Sequence, residues 1–114
     1  MAIQPNPAGI DYASELIEKN QYVKDSDWSQ AQPSPQDEND QLQRHGWAGF
    51  AQWHLAIDTD ENEQTKGRYK FPYGDFRRVH RSGLIAAKQR AGEWDYDEVR
   101  KVADRLLEKV PEPD

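Results

Sequence analysis

Apolar residues change their spacing several times along the chain, and each change marks an element. Near the carboxyl end, Val99, Val102, Ala103, Leu106, Leu107 and Val110 recur at three- and four-residue intervals, the stripe of an amphipathic helix. Asp95 with Glu98 reads as the capping box that opens it. Upstream, Phe76, Val79, Gly83, Ala86 and Ala87 fall on one side of a helical wheel, and Arg77, Arg78, Arg81 and Lys88 fall on another. That spacing predicts a helix from Phe76 to Ala91, with Asp75 as its cap and Gly92 as its stop. Its small residues Gly83, Ala86 and Ala87 let the last helix approach, so the two predict a carboxyl-terminal helix hairpin.

Earlier elements are marked by punctuation more than by stripes. Ser34 as cap, Pro35 at the first helical position, Asp37 and Glu38 in the first turn, Arg44 and His45 in the last, and Gly46 beyond predict a helix over 35–45. Trp47 to Trp53 continues it for a turn or two. Tyr12, Leu16 and Ile17 share a face of a short helix that Asp11 caps and Asn20 stops in the left-handed conformation. HLAID, residues 54–58, alternates weakly like a strand. Tyr69, Phe71 and Tyr73 alternate with Arg68 and Lys70, and Pro72 confines that strand to an edge. Residues 1–10, with two Pro and one Gly, read as an extended lead-in, 11–110 as a single domain and 111–114 as a tail. The fold class is helix-rich α+β, with four to five short helices and at most a two-stranded ribbon; an all-α arrangement is the alternative.

Composition sharpens this picture in three ways. Four Trp, five Tyr and three Phe supply a small, ring-dominated core within 114 residues, one domain's worth of chain. The absence of Cys excludes disulfides, thiolate metal sites and thiol catalysis. The amino-terminal stretch MAIQPNPAGIDYASEL has neither a basic nor an apolar leader region, and no apolar run reaches the ~18 residues of a spanning helix. These features point to a soluble cytoplasmic protein that does not engage a membrane.

Charge is distributed unevenly. The net charge is -6, yet the block from Lys66 to Arg90 holds eight basic residues (Lys66, Arg68, Lys70, Arg77, Arg78, Arg81, Lys88 and Arg90) against one acid, Asp75. Arg68, Lys70, Arg77, Arg78, Arg81 and Lys88 are therefore the candidate binding residues for an anionic partner, either nucleic acid or an acidic protein. The competing explanation is intramolecular. The acidic segments DTDENE (58–63) and EWDYDE (93–98) offer surface ion pairs worth roughly 0 to 1 kcal/mol each.

Motifs for chemistry are sparse. Asp58, Asp60 and Asn62 sit at the first, third and fifth positions of a calcium-loop pattern, but Glu63 stands where the loop needs Gly and Tyr69 where it needs Glu. The histidines at 45, 54 and 80 lack metal-ligand spacing, and no phosphate-binding glycine loop or cofactor motif is present, so no metal and no cofactor is expected. Ser82-Gly83 lacks the surroundings of a nucleophile elbow. The nearest approach to an acid/base site is His54, Asp75 and His80, which flank one aromatic segment. A role in an assembly would require an exposed apolar patch bearing some of Trp28, Trp47, Trp53 and Trp94.

The block RYKFPYGDFRRVHRSGLIAAKQRAG, with WHLAIDTDENEQTKG before it, resembles a family of small uncharacterised bacterial proteins. The resemblance extends from YASELIEKNQYV through SDWSQAQPSPQDEN to the last helix. KFPYGD with the Ala-rich helix after it is also similar to short helical segments of phage head-associated proteins. Neither resemblance carries an activity or a functional residue to this chain. The expectation is a non-enzymatic binding domain with a basic face toward an anionic partner; a nucleic-acid-binding protein and an acid/base enzyme are the alternatives.

Overall fold

The carboxyl-terminal hairpin forms where the apolar stripes place it. In the structure, a computed structural model describing residues 2–113, helix α4 (Arg81–Glu93) packs against α5 (Asp97–Lys109). Val99, Ala103 and Leu106 of α5 are buried, together with Gly83, Leu84, Ala87 and Ala91 of α4. The expected capping box is absent: Asp95 takes a left-handed φ of 59° in the turn, and α5 starts after Tyr96 without a side-chain cap.

Helix α4 is five residues shorter at its start than the apolar spacing implies. Asp75 does the chemistry of a cap, but on a tight turn: its Oδ1 accepts from the amides of Arg77 and Arg78 at 3.0 and 2.9 Å, while Phe76 holds a φ of 67°. The chain then runs extended as β5 (Val79–His80), whose backbone pairs in parallel with β2 (Tyr22–Val23). Arg77 and Arg78 consequently lie on a turn, off any helix face.

The amino-terminal residues expected to be a lead-in are part of the fold. Strand β1 (Ile3–Pro5) pairs antiparallel with β3 (His54–Asp58), and β3 pairs antiparallel with β4 (Tyr69–Pro72). This three-stranded sheet, in the order β1-β3-β4, exceeds the two-stranded ribbon expected, and the parallel β2-β5 pair adds to it. Pro5 and Pro72 both sit on edge strands, where a missing amide costs no ladder bond. Helix α1 (Pro7–Glu18) begins earlier than Asp11, with Asn6 at the cap position and Pro7 as its first residue. Asn6 does not cap it. Its amide donates instead to the carbonyls of Ala51 and His54, at 2.9 and 3.0 Å, and fastens the β1–α1 corner to β3. The chain passes so close there that a Cβ on Gly9 would lie 1.8 Å from the His54 carbonyl oxygen. At the other end of α1, Asn20 adopts the expected left-handed φ, 60°.

Helix α3 (Pro35–Ala51) carries the full punctuation read from its sequence, including a closed capping box between Ser34 and Asp37. Gly46 breaks it at φ 70° and ψ -172°, a region open only to glycine, and the helix resumes for Trp47 to Ala51. The break re-aims the second half so that Phe50 and Trp47 meet Tyr69 of β4. A single turn, α2 (Trp28–Ala31), is capped by Asp27. The α+β, helix-rich class holds. No helix among the described residues is long and apolar enough to cross a membrane.

The core lies between the three-stranded sheet and helices α1, α4 and α5, with Leu55, Ala56, Tyr73, Val79, Leu84 and Leu106 at its centre. Tyr73 is fully buried, and its hydroxyl donates to the Gln52 carbonyl at 2.6 Å. Burial pushes that phenol well above its ordinary range, so it is a permanently neutral donor.

Candidate functional site

The candidate residues separate into three places. The first is a cleft of about 500 Å³ between β4, α4 and the α4–α5 turn, closed on one side by Trp28 of α2. Phe71, Trp94 and Tyr96 complete its aromatic wall, and Ala86 and Ala87 leave room at its base. Local geometry positions these groups. Phe71 has a φ of 61°, an unusual value for a bulky residue, and it meets Tyr96 edge-on with ring centroids 6.1 Å apart. Trp94 follows Arg90 by four residues and continues the helical bonding, its amide donating to the Arg90 carbonyl at 3.2 Å. Indole and guanidinium therefore occupy one side of the helix end.

Two cations line this cleft, Lys70 from β4 and Arg90 from the last turn of α4, and among the described residues no carboxylate does. Arg90 also sits where the α4 dipole favours positive charge. Lys70 is close enough to Asp58 to help hold that carboxyl low, although the hydrogen bond from the Ala2 amide contributes more. In a chain of net charge -6, a concave surface with two cations and no carboxylate among the described residues is a local reversal of sign.

The remaining members of the basic block are dispersed. Lys88 pairs with Asp104 of α5 at 2.6 Å, Lys66 pairs with Glu38 at 3.4 Å, and Arg68 donates to the Glu61 carbonyl at 2.7 Å. Arg77 and Arg78 are exposed, and Arg81 is half-buried with its Nε without a hydrogen-bond partner. Among the described residues these three arginines make no ion pair within 4.0 Å. Arg77 shares a shallow depression of about 410 Å³ with Asp37, Asp40, Arg44 and Asp75, where opposite charges offset one another. Of the six residues that sequence pattern selects for binding, only Lys70 lines the aromatic cleft.

The second place is a polar array that joins two of the three acid/base candidates. His80 Nε2 lies 3.0 Å from Asp75 Oδ2, in electrostatic contact but off the line of a well-directed hydrogen bond. His80 Nδ1 is 2.7 Å from Ser26 Oγ, which is itself 2.8 Å from Ser82 Oγ. Burial alone would raise the Asp75 carboxyl; the Arg78 amide and His80 outweigh it and hold the group below its ordinary value. Ser26 stands where sequence reasoning placed His54, and nothing in SDWS, away from any catalytic motif, marks it. None of Ser26, Asp75 and His80 lines the cleft.

No family model, curated protein or solved structure matches the chain.

His54 occupies the third place, within an aromatic cluster. Its Nδ1–H donates to the Phe50 carbonyl at 3.0 Å, and its ring lies against Phe50 and Tyr69. Burial lowers its pKa to about 4 despite that hydrogen bond, so the ring is neutral near pH 7. No hydrogen bond between described residues links it to the Asp75–His80 pair. The loop with the calcium-like spacing is occupied by its own backbone: Asp58 Oδ1 accepts from the Asp60 amide and Asn62 Oδ1 from the Gln64 amide.

Proposed function

We propose that this is a non-enzymatic binding domain whose anionic partner is held at the cleft by Lys70 and Arg90. The observation that carries the reading is the coincidence of two cations, four aromatic rings and no described carboxylate in one 500 Å³ concavity of an acidic protein. Such a site combines burial of apolar area with a few convergent polar groups, the usual composition of ligand clefts. Arg77 and Arg78 are exposed on their turn, Arg77 beside the carboxylates of Asp37, Asp40 and Asp75, and they leave a polyanion such as nucleic acid as the alternative partner. Membership of the family of small bacterial proteins that the block around KFPYGDF resembles is compatible with either partner.

The Ser26–His80–Asp75 array is read as structural. It ties the chain before α2 to the turn before β5 and to the start of α4, and Ser26 lines neither the aromatic cleft nor the depression beside Arg77.

The test compares two double variants, Lys70→Gln/Arg90→Gln and Arg77→Gln/Arg78→Gln, in titrations with a single-stranded oligonucleotide, a duplex and poly-glutamate at low and moderate salt. Loss of anion binding in the first variant alone supports the cleft. Loss in the second alone, with a log-log salt slope that falls by about one per removed phosphate contact, supports the polyanion surface. Binding of no anion by the unaltered protein, small anions included, overturns the reading.

A further inference from the structure

Trp94 is an anomaly for a side chain placed only by folding. It is 66% exposed, the one large hydrophobic residue so placed among the described residues, and it stands at the rim of the cleft beside Arg90. Trp28, Phe71 and Tyr96 line the same concavity. An indole left in water gains by covering its face, and aromatic rings prefer offset or edge-on partners that another aromatic ring supplies and an aliphatic chain does not.

The cations narrow the choice further. Lys70 is a compact point charge with three donors, whereas Arg90 offers a planar fork that matches the two oxygens of a carboxylate or phosphate. Lys70 comes from β4 and Arg90 from α4, so they approach from separate elements of the lining. A volume of about 500 Å³ falls within the range for small-molecule sites, and Ala86 and Ala87 provide a floor without bulk.

We propose that the cleft is specific for a small planar aromatic anion, with its ring against Trp94 and the aromatic wall and its carboxylate or phosphate between Lys70 and Arg90. This rests on the anion-binding reading of the same cleft and adds to it a requirement for a ring. Both ligand headgroups share one chemistry, an oxyanion on an aromatic frame.

The full chain is titrated with four probes while the indole N–H signals of Trp28 and Trp94 are followed by NMR. The probes are 1-naphthoate, 1-naphthyl phosphate, the saturated decahydronaphthalene-1-carboxylate of matching size and the neutral 1-naphthylmethanol. At least one aromatic anion is expected to bind about tenfold more tightly than decahydronaphthalene-1-carboxylate, a gap of about 1.4 kcal/mol, and to shift both indole signals. Trp94→Ala, at an exposed position, is expected to leave the thermal midpoint unchanged and to bring the aromatic and aliphatic anions to within about twofold of each other. Arg90→Gln is expected to weaken every anion. Equal affinity for the aromatic and aliphatic anions ends the ring requirement while leaving anion binding in place. A neutral alcohol that binds as tightly as the anions, or the failure of all three anions to bind, overturns the anion reading and the ring requirement with it.

Discussion

The buried neutral His54 makes a pH-dependent stability that can be worked out from its surroundings. Its folded pKa of about 4 lies below the ordinary 6.5 that it regains on unfolding. As pH falls, the unfolded chain takes up the proton first, so stability is complete above 6.5 and drains away between 6.5 and 4. One pKa unit corresponds to 1.36 kcal/mol, which gives about 3 kcal/mol in total and about 2.5 kcal/mol by pH 4.5. Against a domain stability of about 5–15 kcal/mol this is a large fraction. The carboxylates act in a different window. Asp58 and Asp75 are held below their ordinary 3.8, so their contribution is present above that value and is lost only as pH falls below it. Urea denaturation at pH 7.0, 5.5 and 4.5 measures the effect; with a slope of about 1–3 kcal/mol per molar, the midpoint is expected to fall by about 0.8–2.5 M. His54→Asn keeps a donor for the Phe50 carbonyl and removes the titration, so the variant is expected to start less stable and to be nearly flat over the same range. Wild-type sensitivity retained in His54→Asn, or a ring signal of His54 titrating near 6.5 in the folded protein, would refute the reasoning.

Three further outcomes follow from the packing. Gly46→Ala is expected to cost about 1–3 kcal/mol through backbone strain alone, since nothing lies within 4 Å of the added carbon, whereas Gly9→Ala is expected to prevent folding or to cost considerably more because of the His54 carbonyl; chemical denaturation and circular dichroism rank the two. Tyr73→Phe keeps the ring and deprives the Gln52 carbonyl of its donor, with an expected loss of about 1 kcal/mol in the denaturation midpoint. Ser26→Ala removes the partner of His80 Nδ1 and is expected to lower stability by about 1 kcal/mol without altering probe binding at the cleft, and a loss of that binding would contradict the structural reading of the array.

Helices with long stripes or complete punctuation were legible in the sequence, and short strands were not. Helix α5 has five apolar positions in register, and α3 has a cap and a proline at its start and a glycine at its break, so local chemistry signals both. Strands β2 and β5 have two residues each, too few to show a period, and β5 interrupts a stretch whose apolar spacing also fits a helix. Asp75 shows why such a boundary misleads: its carboxylate accepts backbone amides equally well at a helix start or in a turn, and the pairing of Val79 with β2 decides between them. At the cleft, Lys70 was legible from charge. Arg90 and Trp94, four apart at a helix end, were the available signal for the rest. Trp28 and Phe71 arrive from distant parts of the chain, and their meeting depends on tertiary structure that no local pattern encodes.

The parallel pairing of β2 with β5 has a consequence for how the molecule is made. A chain emerging from the ribosome exposes Tyr22 and Val23 long before Val79 and His80 exist to receive them, and β1 waits similarly for β3. The last helix closes back on the first, with Lys109 donating to Ser14 at 3.0 Å. Such non-local contacts defer native structure until nearly the whole chain is synthesised, and they slow the search relative to a bundle of locally connected helices. The segments Ile3–Pro5 and Tyr22–Val23 therefore wait without their strand partners during translation.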